Sequence, residues 1–421
     1  MAGCGRDRNF KNVKVGYGFV IIFGISMIIF HCYNARRQSY KIPTLSWTLQ
    51  PSEKEWRELL QMVHNVNVSE KNGSQGENHG SRACQPIKNI FFLKTHKTAS
   101  SSIMNILFRY GESRNLEFAF PIKIHHFNYS SFFSTLSVFG FPARKRQPYN
   151  IMCHHMRFSL PQVEEVMPNN TFYFTILRNP VTLMESSFAY FRESPCFTRA
   201  RNLETFLSNP SRFCQKDLSN SGYAKNVMTF DLGFNHFGPD FPKNIKLLTQ
   251  TVDIIFDLVL ITEYFDESLV LLKDALCWTL NDVLSFPLNA RSDRSRRILS
   301  RETQESIKRW NQLDWKLYVY FNNSFWNRVE KFGRERMKKE VEELRKRRAQ
   351  ISKKCLYNQA DPNQLNDESL IPYQSGSARV LGYNLKPALK KHEQELCDRL
   401  VVPELQYSEY LFTKQLKRAT P

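Results

Sequence analysis

Residues 88–109, KNIFFLKTHKTASSSIMNILFR, set the strongest constraint on what this chain can become. An apolar run of strand length at 90–93 passes into a polar loop with two Lys-Thr pairs. It then enters a segment whose apolar residues Ile103, Ile106 and Leu107 recur at helical spacing. That order predicts strand, anion-binding loop, helix. The first turn of a helix carries unpaired backbone N–H groups and a partial positive charge, which neighbouring lysines and hydroxyls extend into a pocket for phosphate or sulfate. An ordinary strand-to-helix connection with solvated lysines is the plain alternative, so the loop has to be weighed with the rest of the chain.

The 421 residues suffice for one large α/β domain or two smaller ones. A formal net charge of +19 suits an anionic cofactor, acidic lipid headgroups or nucleic acid without choosing among them. Much of the excess lies at 334–354, where a mixed charged face is commonly just solvated. The nine cysteines contain no C-x-x-C pair, and an odd number cannot all pair within the chain.

Residues 15–33, VGYGFVIIFGISMIIFHCY, are long enough to cross a bilayer, and no small-x-small cleavage site follows them. We read 1–14 as a cytosolic tail, 15–33 as a transmembrane signal anchor, 34–83 as a polar stem and 84–421 as a luminal globular domain. Basic residues flank both ends of the run, so charge gives only a small margin for this orientation. N-glycosylation acceptor sequences at Asn67, Asn72, Asn128, Asn169 and Asn322 fit a luminal body.

Within that body, 150–155 reads as a short strand ending in paired histidines. Residues 171–177, TFYFTIL, form a strongly β-prone run that stops at Arg178-Asn179-Pro180. A buried strand delivering an arginine at its carboxyl end is a productive geometry, because ligands of open α/β sheets bind at that edge. Residues 181–190 have helical character, which puts Ser186 two turns beyond Arg178. Residues 252–261 are a further strand candidate with a companion helix at 267–276, and 310–348 look largely helical. From 356 the tail reads as loop-rich, with a short ordered piece at 378–385. Strands alternating with helices predict an α/β fold with a mostly parallel central sheet flanked by helices, preceded by one transmembrane helix.

FLKTHKTASSS at 92–102 and TILRNPVTLMESSFAYF at 175–191 resemble the two cofactor-binding segments of Golgi sulfotransferases that use 3′-phosphoadenosine 5′-phosphosulfate (PAPS). CHHMRF at 153–158, ITEYFDESLVLLKDALCW at 261–278, LNAR at 288–291 and LGYNLK at 381–386 resemble the galactose 3-O-sulfotransferases, most closely those acting on galactosylceramide. The resemblance implies a nucleotide-kinase-like, P-loop-like sulfotransferase fold. The reaction it implies moves a sulfuryl group from PAPS to the 3-hydroxyl of a β-linked galactose on a glycolipid or glycan, at the luminal face of the Golgi membrane. Carried over residue by residue, Lys94, Thr95, His96, Lys97, Thr98, Ala99, Ser100 and Ser101 hold the 5′-phosphosulfate, and Arg178 with Ser186 holds the 3′-phosphate. His155 falls on the base position, and His96 and Lys97 on positions contacting the transferring group. Asn179 departs from the Asp frequent there in relatives. A single-pass membrane enzyme, compatible with a homodimer, without metal and without nucleic acid as partner, is the expectation.

The chemistry of the residues agrees. A histidine with an ordinary pKa near 6.5 can take the proton of an acceptor hydroxyl. Lysine and a helix N-terminus stabilise charge on a leaving phosphate, and Arg grips phosphate bidentately. The alternatives are that His154 faces the site, or that both histidines are structural. A nucleoside-triphosphate kinase is disfavoured because the loop lacks G-x-x-x-x-G-K-[ST], and a metal-dependent glycosyltransferase because the chain has no Asp-x-Asp. A catalytically inactive glycolipid-binding relative is the remaining competitor.

Overall fold

The computed structural model describes residues 84–123, 125–141, 149–292 and 295–419. The anchor at 15–33, the stem at 34–83 and the acceptor sequences at Asn67 and Asn72 lie outside the described residues. Among the described residues no helix is long and apolar enough to cross a membrane.

The central strand β1 (Ile90–Leu93) pairs on one side with β2 (Ile151–Met152) and on the other with β3 (Phe172–Leu177). Strand β3 pairs in turn with β4 (Leu258–Ile261), and all three pairings are parallel. β1 and β4 are buried along their whole length, as their unbroken apolar sequences require of strands covered on both faces. Phe92 of β1 stacks on Phe174 of β3 at 4.7 Å. Thr175, polar in the middle of β3, donates its hydroxyl to Leu93 O at 2.9 Å and so is satisfied inside the sheet.

Helix α1 (Ser100–Ser113) follows β1, and α2 (Pro180–Tyr190) follows β3. Pro180 starts α2 where its missing N–H costs nothing, and the Asn179 side chain caps Val181 N at 2.9 Å. After these come α3 (Val227–Asp231), α4 (Pro242–Ile255) and α5 (Phe265–Ala275). The strand expected over 252–261 is therefore half helix: Leu248 and Val252, four apart, are buried as the last turns of α4, and only 258–261 pair in the sheet. Asp257 marks the junction by accepting Tyr173 N–H at 2.8 Å.

After α6 (Arg301–Trp310), the helical stretch expected over 310–348 is two helices, α7 (Gln312–Phe332) and α8 (Arg334–Cys355). Gly333, at φ 98°, is the residue that lets α7 end and α8 begin. Helix α8 is a docked surface helix, burying Met337, Val341 and Leu344 while Arg345 and Arg348 pair with Asp266 of α5.

The tail is more ordered than its composition suggests. β5 (Leu356–Ala360) and β6 (Gly382–Leu385) form an antiparallel pair, followed by α9 (Lys391–Val401) and α10 (Glu404–Ala419). Buried Leu400, Val401, Tyr407 and Leu411 join the main core, so a segment read as loop is held by packing that local composition does not display. A second apolar cluster gathers Val181, Met184 and Phe188 of α2 with Phe197, Phe206 and Trp310.

Among the described residues three disulfides form, Cys84–Cys277, Cys196–Cys214 and Cys355–Cys397, and buried Cys153 is free. Asn128 and Asn169 are exposed and lie outside helices and strands. Asn322 instead lies inside α7, with its Oδ1 buried and unpartnered, a poor position for a glycan acceptor.

Candidate active site

The polypeptide leaves the carboxyl end of β1 at Lys94 and enters α1 at Ser100, as the strand, loop and helix pattern required. Two residues of the connection, Lys97 (φ 60°) and Ala99 (φ 61°), adopt left-handed backbone without being glycine. Each costs about 1–2 kcal/mol, and such strain gathers at functional sites. Hydroxyls hold the loop in shape. Thr95 donates to Ile176 O at 2.5 Å, Ser100 donates to Thr95 O at 2.8 Å, and Thr262 donates to Thr98 O at 2.8 Å. Thr95 does not line the cavity. Expected to hold the ligand, it lies fully buried beneath the loop, because its hydroxyl is spent tying β1 to β3.

Lys94, His96, Lys97, Thr98, Ala99, Ser100 and Ser101 line one cavity of about 860 Å³, which His155, Arg178 and Ser186 also line. The structure thus brings together every site residue expected from the sequence except Thr95.

The paired histidines separate cleanly. His154 is buried, its Nε2 2.7 Å from Ser408 Oγ, and burial lowers its pKa to about 3. His155 faces the cavity. Its Nδ1–H donates to Lys94 O at 2.9 Å, which leaves Nε2 as the lone-pair nitrogen, 2.8 Å from the Lys94 ammonium. Burial, then the neighbouring His96 and Lys94, hold its pKa well below the ordinary value, so it is unprotonated at neutral pH.

His96 stacks on His155 with ring centroids 3.7 Å apart and planes 8° apart. Asp231, at the end of α3, accepts the His96 backbone N–H at 2.7 Å, its Nδ1 at 3.0 Å and the Tyr129 hydroxyl at 2.8 Å. A carboxylate on Nδ1 sets the tautomer and orientation of the ring, leaving Nε2 as the lone-pair nitrogen when the ring is neutral.

Lys94 lies between two partners, His155 and the Glu404 carboxylate at 3.0 Å. Glu404 also accepts the Ser101 hydroxyl at 2.6 Å. Burial alone would raise its pKa, but Lys94 and Ser101 outweigh that and hold it below the ordinary value. Among the described lining residues Glu404 is the one carboxylate in an otherwise cationic surface.

Arg178 stands at the carboxyl end of β3, its NH1 donating to Lys97 O at 2.8 Å and its Nε to Thr182 Oγ1 at 3.0 Å. Buried Ser186 lies on α2 in the same wall. Arg291 adds a further cation, anchored by a buried ion pair with Glu185 of α2. Lys97 lies over the Tyr190 ring at 3.5 Å, and desolvation followed by Arg291, Arg178 and Lys94 lowers its pKa to about 7. An ammonium this crowded by cations is relieved by a bound polyanion, and that is the chemistry these residues fit.

Sequence reasoning missed Asp231, Glu404 and Arg291 as site residues. Asp231 had a signal, a lone carboxylate in the apolar stretch VMTFDLGF, and Glu404 a weaker one, Pro403 opening an amphipathic helix. Neither signal says which cavity the side chain reaches.

The galactose-3-O-sulfotransferase family model matches residues 58–415. Galactose-3-O-sulfotransferase 2 of Sus scrofa is 46% identical over 343 residues, covering 80% of this chain and 86% of its own length. The Homo sapiens protein of the same name is also 46% identical, over 338 residues, covering 78% and 84%. Galactosylceramide sulfotransferase of Homo sapiens is 43% identical over 348 residues, covering 81% and 80%. Identity does not separate the relatives named for a glycolipid from those that are not. A match across most of the chain, with relatives of this identity covering about four-fifths of it, shows that the protein belongs to the galactose-3-O-sulfotransferase family.

Proposed function

We propose that this protein transfers the sulfuryl group of PAPS to the 3-hydroxyl of a β-linked galactose, with galactosylceramide and related galactolipids as the leading acceptors. The observation that carries the reading is His155, neutral and cavity-facing, beside a loop whose lysines converge with Arg178 on one cavity. The donor, when bound, supplies an electrophilic sulfur whose bond to the 5′-phosphate oxygen breaks as the bond to galactose O3 forms. Lys94, Lys97, Ser101 and the N-terminus of α1 hold the phosphosulfate, and Arg178 with Ser186 the 3′-phosphate. His155 Nε2 takes the O3 proton once the Lys94 ammonium turns toward the donor's oxygens. His96, braced by Asp231, contacts the transferring group, and Lys97 balances the charge that develops on the leaving phosphate.

The strand order around β1 and the loop at its carboxyl end support a nucleotide-kinase-like fold. The apolar run at 15–33 and the three disulfides support a single-pass Golgi protein with a luminal catalytic domain, compatible with a homodimer. Galactose of glycoprotein glycans, which presents the same 3-hydroxyl, is the second acceptor reading; the relatives at 46% identity are named for galactose and not for a lipid.

The test presents full-length protein and radiolabelled donor with galactosylceramide, an N-glycan galactoside and a mucin-type galactoside side by side. Label on galactose O3 is the expected result, and the ranking of acceptors decides between the two readings. Absence of label on all three, with adenosine 3′,5′-bisphosphate still bound, would establish the inactive binding relative instead.

A further inference from the structure

The cavity has two chemically unlike halves, and the stacked histidines stand on the border between them. One half is the cationic surface just described. The other is aromatic. Phe191 and Tyr223 lie parallel with centroids 3.9 Å apart and planes 4° apart, and Tyr129 lies nearly parallel to Tyr223 at 5.4 Å and 16°. All three rings line the cavity, and none is fully buried. His96 meets each of them, at 4.6 Å from Tyr129, 5.2 Å from Tyr223 and 5.9 Å from Phe191.

Three separate segments supply these rings, and each is fixed by bonds that do not depend on ring packing. Tyr129 donates its hydroxyl to Asp231, and its loop runs beside His155, with Phe127 N–H donating to His155 O at 2.8 Å. Phe191 caps α2, its N–H donating to Ser187 O at 2.8 Å, and the Ser187 hydroxyl donates to Tyr223 O at 2.6 Å. Asp231 therefore ties the aromatic wall to the anion loop through one carboxylate, because it holds both Tyr129 and His96. The distance between wall and reacting groups is set by the fold.

An aromatic wall left partly open beside reacting groups suits a ligand that is apolar on one face and polar at its edge. A β-galactopyranose has that form. Its axial 4-hydroxyl leaves the hydrogens on C3, C4 and C5 as one apolar patch, with the equatorial 3-hydroxyl at the rim of that patch. A sugar laid with this patch on the rings turns its 3-hydroxyl toward the ring edge, where His96 and His155 stand. We infer that Tyr129, Phe191 and Tyr223 form the subsite for the acceptor galactose, with Asp231 as the residue that holds this subsite in register with the anion loop. The inference rests on the galactose reading above. It adds where the sugar sits and which face it presents.

The test uses full-length protein, PAPS and a soluble β-galactoside. Tyr223→Leu and Phe191→Leu are expected to raise the KM for the galactoside roughly 5- to 10-fold, the scale of one lost aromatic contact, while the KM for PAPS stays within about twofold. Tyr223→Phe keeps the ring that stacks on Phe191 within the wall and is expected to keep the wild-type galactoside KM. Asp231→Asn is expected to raise galactoside KM and lower kcat together, because one carboxylate serves both halves. An unchanged galactoside KM in both leucine variants, or a parallel rise in the PAPS KM, overturns the subsite. Saturation-transfer NMR on the galactoside with wild-type protein and adenosine 3′,5′-bisphosphate needs no variant to fold. Strongest saturation at H3, H4 and H5 supports the subsite, and uniform saturation around the ring overturns it. Wild-type protein that sulfates no galactoside overturns the underlying reading as well, whereas active wild type with unmoved variants overturns the subsite alone.

Discussion

The loop at 94–102 and the first residue of α10 meet in one ion pair, Lys94 to Glu404 at 3.0 Å, but they arrive there by opposite routes. The loop is locally built at its centre: the hydroxyls of Thr95, Thr98 and Ser100 bond within five residues or to the neighbouring strand end, and a helix N-terminus follows at once. Glu404 lies 303 positions beyond Ser101, whose hydroxyl it accepts, and reaches the cavity only because α10 packs on α1. The comparison teaches that a short stretch of chain can build a cradle of lysines and hydroxyls, while the charge balance inside the cradle is set from far away. Breaking a buried pair by removing one partner exposes the other to the full cost of its charge, so this ion pair is a sensitive place to probe.

The largest effect belongs to the group between the two regions. His155→Ala is expected to lower kcat by roughly 10²- to 10⁴-fold, with binding of adenosine 3′,5′-bisphosphate nearly intact by calorimetry. Equal loss of nucleotide affinity would move His155 into the cradle and dissolve the division of labour. Next comes the loop's own partner. Arg178→Ala is expected to weaken nucleotide binding roughly 10- to 100-fold, the scale of a charge-assisted hydrogen bond, with the smaller effect on kcat.

Glu404→Gln sharpens the comparison most directly because its two effects carry opposite signs. It removes a negative charge from a cationic cavity, so PAPS KM should stay level or fall, while Lys94 loses its guide and kcat falls by about 10-fold. A rise in PAPS KM together with a fall in melting temperature would reduce Glu404 to a packing residue.

The smallest effect is electrostatic. Lys97, ordinarily near 10.5, titrates at about 7 because of desolvation and then Arg291, Arg178 and Lys94. Its cation is present in the free enzyme below pH 7 and is lost as pH rises through that value. Bound polyanion favours the ammonium and raises its pKa, so binding at pH 7.5 to 8 should take up a fraction of a proton and weaken as pH increases. Calorimetry in buffers of different ionisation enthalpy reads this uptake, and Lys97→Met should abolish it.

Legibility followed the same divide. β1, β3 and the loop between β1 and α1 were readable because their signals are contiguous: four to six apolar residues, then lysines and hydroxyls, then helical spacing. Residues 252–261 divide between helix and strand against their strand-like pattern, because a short apolar run suits either a strand or the last turns of a helix, and only the core packing of Leu248 and Val252 decides. The tail from 356 looks loop-rich in sequence although 391–401 and 404–419 are helices, because a polar amphipathic helix shows its purpose only when the surface it covers is known.

By itself the sequence determined the α/β alternation, the loop of lysines and hydroxyls with its arginine, and the pairing of two histidines beyond a short strand. Only the tertiary structure decided which histidine faces the cavity, because His154 and His155 are adjacent and chemically identical until Ser408 takes one and Lys94 the other. It alone brought Asp231 to His96 and Glu404 to Lys94, since side chains separated by 135 and 310 positions share a site only through the packing of the helices that carry them. The strand, loop and helix at 90–113 follow from local spacing and backbone hydrogen bonding. The electrostatics of the cavity follow from long-range burial, which no window of sequence contains.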